Sequence, residues 1–198
     1  MINNRKQQRG LLTKKRILET ALRLFSQKGY DNVTVEEIVK VIGTSKGAFY
    51  GHFRSKDQIF MEKFKEIDSY YTHFCSDIAD DLDSDQKILQ FVRAQMNYIQ
   101  YELGKEVMTV IYSNALKPNP YNYFLDRNRE MYKILRKYIE EGKGKKEINP
   151  QLATDEILKL LTRCMRASIY DWCMSQEELE LVEESRKLFE LVLRGLKE

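Results

Sequence analysis

The stretch Thr34-Val35-Glu36-Glu37-Ile38-Val39-Lys40-Val41-Ile42-Gly43-Thr44-Ser45-Lys46-Gly47-Ala48-Phe49-Tyr50-Gly51-His52-Phe53 decides how this chain is read. Thr34 and Glu37 have the spacing of a capping box, and Val33 and Ile38 that of a hydrophobic staple. The helix they open is short, because Gly43 supplies a turn residue able to take positive φ without steric cost. Thr44 or Ser45 then caps a third short helix that runs through His52. Two helices of about two turns each, joined by a Gly-containing turn, form a helix-turn-helix pattern. Ile38, Val39 and Ile42 point toward a core shared with Leu22, Phe25 and Phe49. The opposite face of the later helix carries Ser45, Lys46, Ala48, Tyr50 and His52. That mix of small, basic and aromatic polar residues suits a surface pressed into a groove.

Helical periodicity continues on both sides of this stretch. Before it, Ile17, Ala21, Leu24 and Phe25 follow Thr13 on one face, and Gly29 stops the run. After it, Ser55 and Gln58 repeat the capping-box spacing and open a long helix. Its apolar stripe is Ile59, Phe60, Phe64, Ile67, Tyr71, Phe74 and Ile78. Further helices are expected at about 86–103, 107–114, 121–141, 152–173 and 176–196, with Gly142 to Lys146 a flexible basic turn. No alternating strand pattern occurs. The expected class is all-α, with about nine helices, a head at residues 1–55 and a body at 56–198.

Composition narrows the function. The chain has 198 residues, 42% apolar and 32% charged, with only 9 Gly and 3 Pro, which excludes disordered and collagen-like chains. No apolar run is long enough to span a membrane. Met1 to Gly10 is basic and polar and lacks the apolar segment of a secretory signal, so a cytoplasmic location is expected. Cys75, Cys164 and Cys173 do not read as a disulfide framework or a zinc site. The acidic run Asp77, Asp80, Asp81, Asp83 and Asp85 reads as a solvated linker, so neither metal nor cofactor is expected. The formal charge of +3 hides an asymmetry. Residues 1–56 hold 12 Lys and Arg against 4 Asp and Glu, a charge of +8; the rest holds 21 against 26, a charge of −5. A basic head on an acidic body is a candidate for binding a polyanion.

Residues 12–60 resemble the DNA-binding domain of TetR-family transcriptional regulators. The resemblance rests on Thr34 to Ile38, on Gly43 to Phe53, and on Ser55-Lys56-Asp57-Gln58-Ile59-Phe60. It implies a homodimer that reads a palindromic double-stranded DNA operator with two recognition helices. Carried onto this sequence, Lys46, Gly47 and Ala48 approach base edges in the major groove, beside Ser45 on the same face. Lysine donates to guanine O6 and N7, and an alanine methyl touches thymine. Tyr50 and His52 hold phosphates, as do Thr34 and Lys56 at helix N-termini. Arg5, Lys6 and Arg9 add salt-dependent phosphate contacts. Thr44 and Gly51 depart from the family pattern, which usually has an apolar and a larger residue there.

For the body, the resemblance implies a helical effector-binding and dimerisation domain. Tyr71, Phe74, Phe91, Met96, Met108, Tyr112 and Met131 are the inward candidates for a pocket holding a small apolar or aromatic effector; an ordinary core is the other reading. Leu158, Leu161, Met165, Ile169 and Trp172, with Leu181, Leu188, Leu191 and Val192, are expected to close a four-helix interface through the two C-terminal helices. The expected function is a repressor released from its operator by that effector. The alternative is a helical protein-interaction adaptor without sequence-specific DNA binding. Gly43-Thr44-Ser45-Lys46-Gly47 also fits the G-x-S-x-G nucleophile pattern, but that motif needs a strand before it, so an enzyme is not expected.

Overall fold

The structure is a computed structural model that describes residues 2–118, 122–176 and 179–197, with side chains from Gln7 onward. Among them are nine α-helices and no strand: α1 Ile2–Lys28, α2 Val35–Ile42, α3 Lys46–Tyr50, α4 Asp57–Ser76, α5 Ser84–Asn97, α6 Lys105–Ala115, α7 Glu130–Gly144, α8 Thr154–Met174 and α9 Leu181–Arg194. A π-helical segment, Tyr98–Leu103, continues α5, and a 3₁₀ turn spans Tyr123–Leu125. Among the described residues, no helix is long and apolar enough to cross a membrane.

The chain forms two compact units, one of residues 1–66 with 109–123, the other of 67–108 with 124–198. The division therefore falls inside α4 and not at the expected 55/56. The reason is the aromatic first half of α4: Phe60 packs with Phe25 and Tyr30 at centroid separations of 5.6 and 5.4 Å. Ile59 and Phe60 are almost fully buried, so these turns belong to the core of the head.

In the first unit, α1 buries Ile17, Leu18, Ala21, Leu22, Leu24 and Phe25 on one stripe. The expected basic arm is the start of this helix; the side chains of Arg5 and Lys6 lie outside the described residues. Thr34 caps α2 by accepting from the Glu37 N–H, and Gly43 ends it at φ 68°. The Glu37 carboxylate does not close the expected capping box; it pairs with Lys28 at the end of α1. Ser45, not Thr44, caps α3. That helix stops at Tyr50, with Gly51 and His52 in the following turn.

In the second unit, α5 packs against α7 and α9, and α8 against the same two helices. Arg129 clamps Asp68 through two bonds, Nε to Oδ2 at 3.1 Å and Nη2 to Oδ1 at 2.8 Å. Helix α7 starts at Glu130, later than expected; position 121 lies outside the described residues, as do 177 and 178 ahead of α9. It also runs into the stretch expected to be a flexible turn, as far as Gly144, and Lys145 and Lys146 make the turn. Gly142 is buried there, and a Cβ on it would sit 2.8 Å from Ile148 Cδ1 and 2.9 Å from Ser84 Cβ. The glycine is thus present for close packing, not for flexibility.

The expected dimer surface needs correction. Leu158, Leu161, Met165, Ile169 and Trp172 of α8 and Leu181 of α9 are buried within the single chain. They form the stripe that faces the neighbouring helices of their own unit. Of the expected residues Leu191 is exposed, and Leu160, Tyr170 and Met174, which were not among them, are exposed on α8. Leu188 and Val192 are half-buried beside Leu191.

Candidate nucleic-acid interface

The head is built to hold α3 rigidly while leaving one of its faces bare. Gly43 N–H bonds the Lys40 and Val39 carbonyls, and Thr44 N–H bonds Val39 O at 2.9 Å, so the turn has little freedom. Arg16 of α1 reaches across to Ile42 O at 3.1 Å. Beneath α3, Phe49 and Phe53 are fully buried, with ring centroids 5.6 Å apart. Above it, Ser45, Lys46, Gly47 and Tyr50 are exposed and Ala48 is half-exposed.

Gly47 is informative because nothing inside the head requires it. A Cβ there would meet only Ser45 Oγ, at an ordinary 3.7 Å. Glycine nevertheless costs a helix about 1 kcal/mol relative to alanine. Its smallness serves a surface that something outside must approach closely. The two capping hydroxyls have a matching property. Ser45 Oγ accepts from Ala48 N–H at 3.1 Å and Thr34 Oγ1 from Glu37 N–H at 3.2 Å. An accepting hydroxyl still has its own O–H to donate, so each cap can bond an anion without releasing its helix.

The basic residues behave differently from one another. Lys46 projects to solvent but pairs with Glu36 of α2. The hydrogen bond from Lys46 holds the Glu36 carboxyl below its usual range. Glu36 is the residue that sequence reasoning missed. Nothing in the sequence pairs it with Lys46, because their meeting depends on the angle between α2 and α3. His52 is half-buried, with its ring beside Gly10 of α1, so it stands less free than Tyr50.

Lys56 departs from its expected role. Its Nζ donates to Tyr30 O at 2.9 Å and Val33 O at 2.6 Å, and sits 4.4 Å from the Tyr30 ring centroid. The side chain ties the loop ahead of α2 to the start of α4 and is not offered to a phosphate. Tyr30 joins the same knot by donating to Asp57 Oδ1 at 2.8 Å; burial and that bond push its hydroxyl pKa up. Lys56→Ala is therefore expected to destabilise the head by about 2 kcal/mol, the scale for bonds from a charged donor. Urea unfolding checks this. An unchanged midpoint would show that the knot holds nothing.

The effector candidates divide between the units. Tyr71, Phe91, Met96, Met108 and Met131 are buried in the second, with Phe74 half-buried, while Tyr112 belongs to the first. The Tyr71 and Phe91 rings meet edge to face at 5.2 Å, and Phe74 stacks on Tyr70. Among them sits a polar residue that the sequence did not flag. Gln95 is buried, with Nε2 3.5 Å from Met131 Sδ and Oε1 lacking a hydrogen-bond partner.

Residues 17–62 match the family of bacterial regulatory proteins described as the tetR family. The uncharacterized HTH-type transcriptional regulator YerO of Bacillus subtilis is 48% identical over 48 residues, 24% of this chain and 17% of that protein. The chain thus spans only a small part of that relative's length. The biofilm operon icaADBC HTH-type negative transcriptional regulator IcaR of Staphylococcus aureus is 25% identical over 181 residues, covering 89% of this chain and 92% of that protein. Among solved structures, the transcriptional regulator FadR from Bacillus subtilis in complex with stearoyl-CoA superposes with a TM-score of 0.74. The two share 20% identity over 91% of this chain and 98% of that one.

Proposed function

We propose that this chain, whose residues 17–62 match the tetR family of bacterial regulatory proteins, is a homodimeric repressor released from a palindromic operator by a small effector. The observation that carries this reading is the bare face of α3, where Lys46, Gly47 and Ala48 stand over a locked aromatic base. Lys46 and Ala48 read base edges, and Gly47 lets the backbone close on the groove. Ser45, Thr34 and Tyr50 bond phosphates and fix the register.

One five-residue helix makes few base contacts, so two copies are needed. A two-fold dimer places them about 34–36 Å apart, one DNA turn, or a multiple of it. On α8 and α9, Leu160, Tyr170, Met174 and Leu191 are the exposed large apolar residues that can close that dimer. The effector sits among Tyr71, Phe91, Met96 and Met131, where the unpaired Gln95 Oε1 offers an acceptor to a donor on an otherwise apolar molecule. An effector shifts the dimer away from DNA by as much as its differential affinity for the two conformers allows.

Gel shifts on genomic fragments, with competitor duplex, test the reading. One or a few fragments should survive excess competitor, and the affinity should fall steeply with salt. Uniform weak retention of every fragment would instead leave a helical adaptor.

A further inference from the structure

Away from the head, the second unit carries a charge arrangement that operator binding does not use. Two adjoining cavities of about 340 and 280 Å³ lie along α7 and α8 and share Arg127, Tyr132 and Leu158. Their cations come from three places. Arg127 lies just before α7, Arg136 projects from α7, and Lys159, Arg163 and Arg166 recur at i, i+4 and i+7 along α8. Asp155 is the one carboxylate among the described residues that line the two cavities, and Arg166 also donates to Phe124 O at 3.5 Å. Lys133 and Lys137 complete the rim and have their own acids, Glu130 at 2.7 Å and Glu141 at 3.7 Å.

Asp155 shows how the groove treats an anion. Arg136 Nη2 reaches one of its oxygens at 2.5 Å and Arg127 Nη1 the other at 3.6 Å. The Arg136 bond, with the Arg127 charge, holds its carboxyl below the usual range. One carboxylate thus spans two guanidiniums, while Lys159, Arg163 and Arg166 add charge beside them. Residues 57–198 are acidic as a whole, with 21 basic against 26 acidic side chains, so this concentration is not the average of the body. Like charges gathered on two facing helices repel each other, and a bound polyanion removes that repulsion. The planar guanidinium fork matches phosphoryl oxygens in pairs. Leu158 and the exposed Leu125 supply an apolar edge, and the volumes suit a small metabolite.

We propose that the groove between α7 and α8 binds a small diphosphate ester, its phosphoryl groups held by Arg127, Arg136, Arg163 and Arg166 and its apolar remainder against Leu125 and Leu158. The site is distinct from the buried aromatic cluster, but Arg163 lies one turn from Leu160 on α8, beside the surface proposed for the dimer, so each variant tested is also run in light scattering. Calorimetry of the full chain with pyrophosphate and with ADP, in the absence of DNA, tests it. Both probes should bind, ADP more tightly because it has a remainder to place. Arg163→Gln should weaken both at least tenfold. Asp155→Asn should strengthen both several-fold, because the competing carboxylate is gone. The opposite signs of the two variants separate binding from loss of fold. No binding of either probe, or binding unchanged in both variants, overturns the proposal. So does a result in which Arg163→Gln weakens duplex DNA alone, since the groove would then be an extension of the nucleic-acid surface.

Discussion

Lys46→Ala is expected to cost about 1–3 kcal/mol of operator affinity, roughly fivefold to 150-fold, and to relax base preference at one position of each half-site. The lysine stands in the first turn of α3, beside the Ser45 cap, on the face that Gly47 keeps open. Folding does not use it. Among the described residues its partner is Glu36, and an exposed pair of this kind contributes little to stability. The substitution should therefore leave the unfolding midpoint in place while affinity falls. The partner predicts a change of opposite sign. In the free protein Lys46 compensates the Glu36 carboxylate; on binding, Glu36 must give up Lys46 and face the phosphates with an uncompensated negative charge. Glu36→Gln should raise affinity for any duplex by about threefold, more at low salt. Titrating both variants against operator and scrambled duplex measures the two effects together. A Lys46→Ala protein that keeps full specificity would place the reading residues elsewhere on the head.

The second large effect is expected at Leu191. It lies on α9 with 64% of its surface exposed, and Met174 and Tyr170 of α8 are exposed at 57% and 43%. A glutamate there costs the isolated chain almost nothing. In a dimer it buries an uncompensated charge at about 3–5 kcal/mol. Leu191→Glu should thus run as a monomer in light scattering, keep its helical circular dichroism, and bind operator at least about a hundredfold more weakly, because one head makes only half the contacts. Leu161→Glu, by contrast, should unfold the second unit, since Leu161 is fully buried in the chain's own core. A dimeric Leu191→Glu protein would assign the interface to another face.

The contrast between Leu161 and Leu191 shows where sequence reading works and where it fails. Short-range rules serve the head well: Thr34 and Ser45 cap, Gly43 turns, and Phe49 with Phe53 lies underneath. Each follows from residues within a few positions of one another. Periodicity also places the helices of the body, but it finds the most apolar stripe of a helix, and on α8 that stripe is already used by its own subunit. The surface left for a partner is the mixed stripe of Leu160, Tyr170 and Met174, which periodicity alone does not single out. Lys56 fails for a related reason. A lysine near a helix start suggests an anion, but two carbonyls 23 and 26 residues earlier in the chain are closer to hand. The Glu36–Lys46 pair and the arginines of the α7–α8 groove likewise exist only once separate helices are brought side by side.

Selection of duplexes from a random pool by the purified full chain tests the central claim most directly. The enriched sequences should be inverted repeats, with half-site centres about 10–10.5 base pairs apart or a multiple of that, and enrichment should be lost in Lys46→Ala. A pool that stays random after repeated rounds, or that converges on a lone half-site without symmetry, would contradict it.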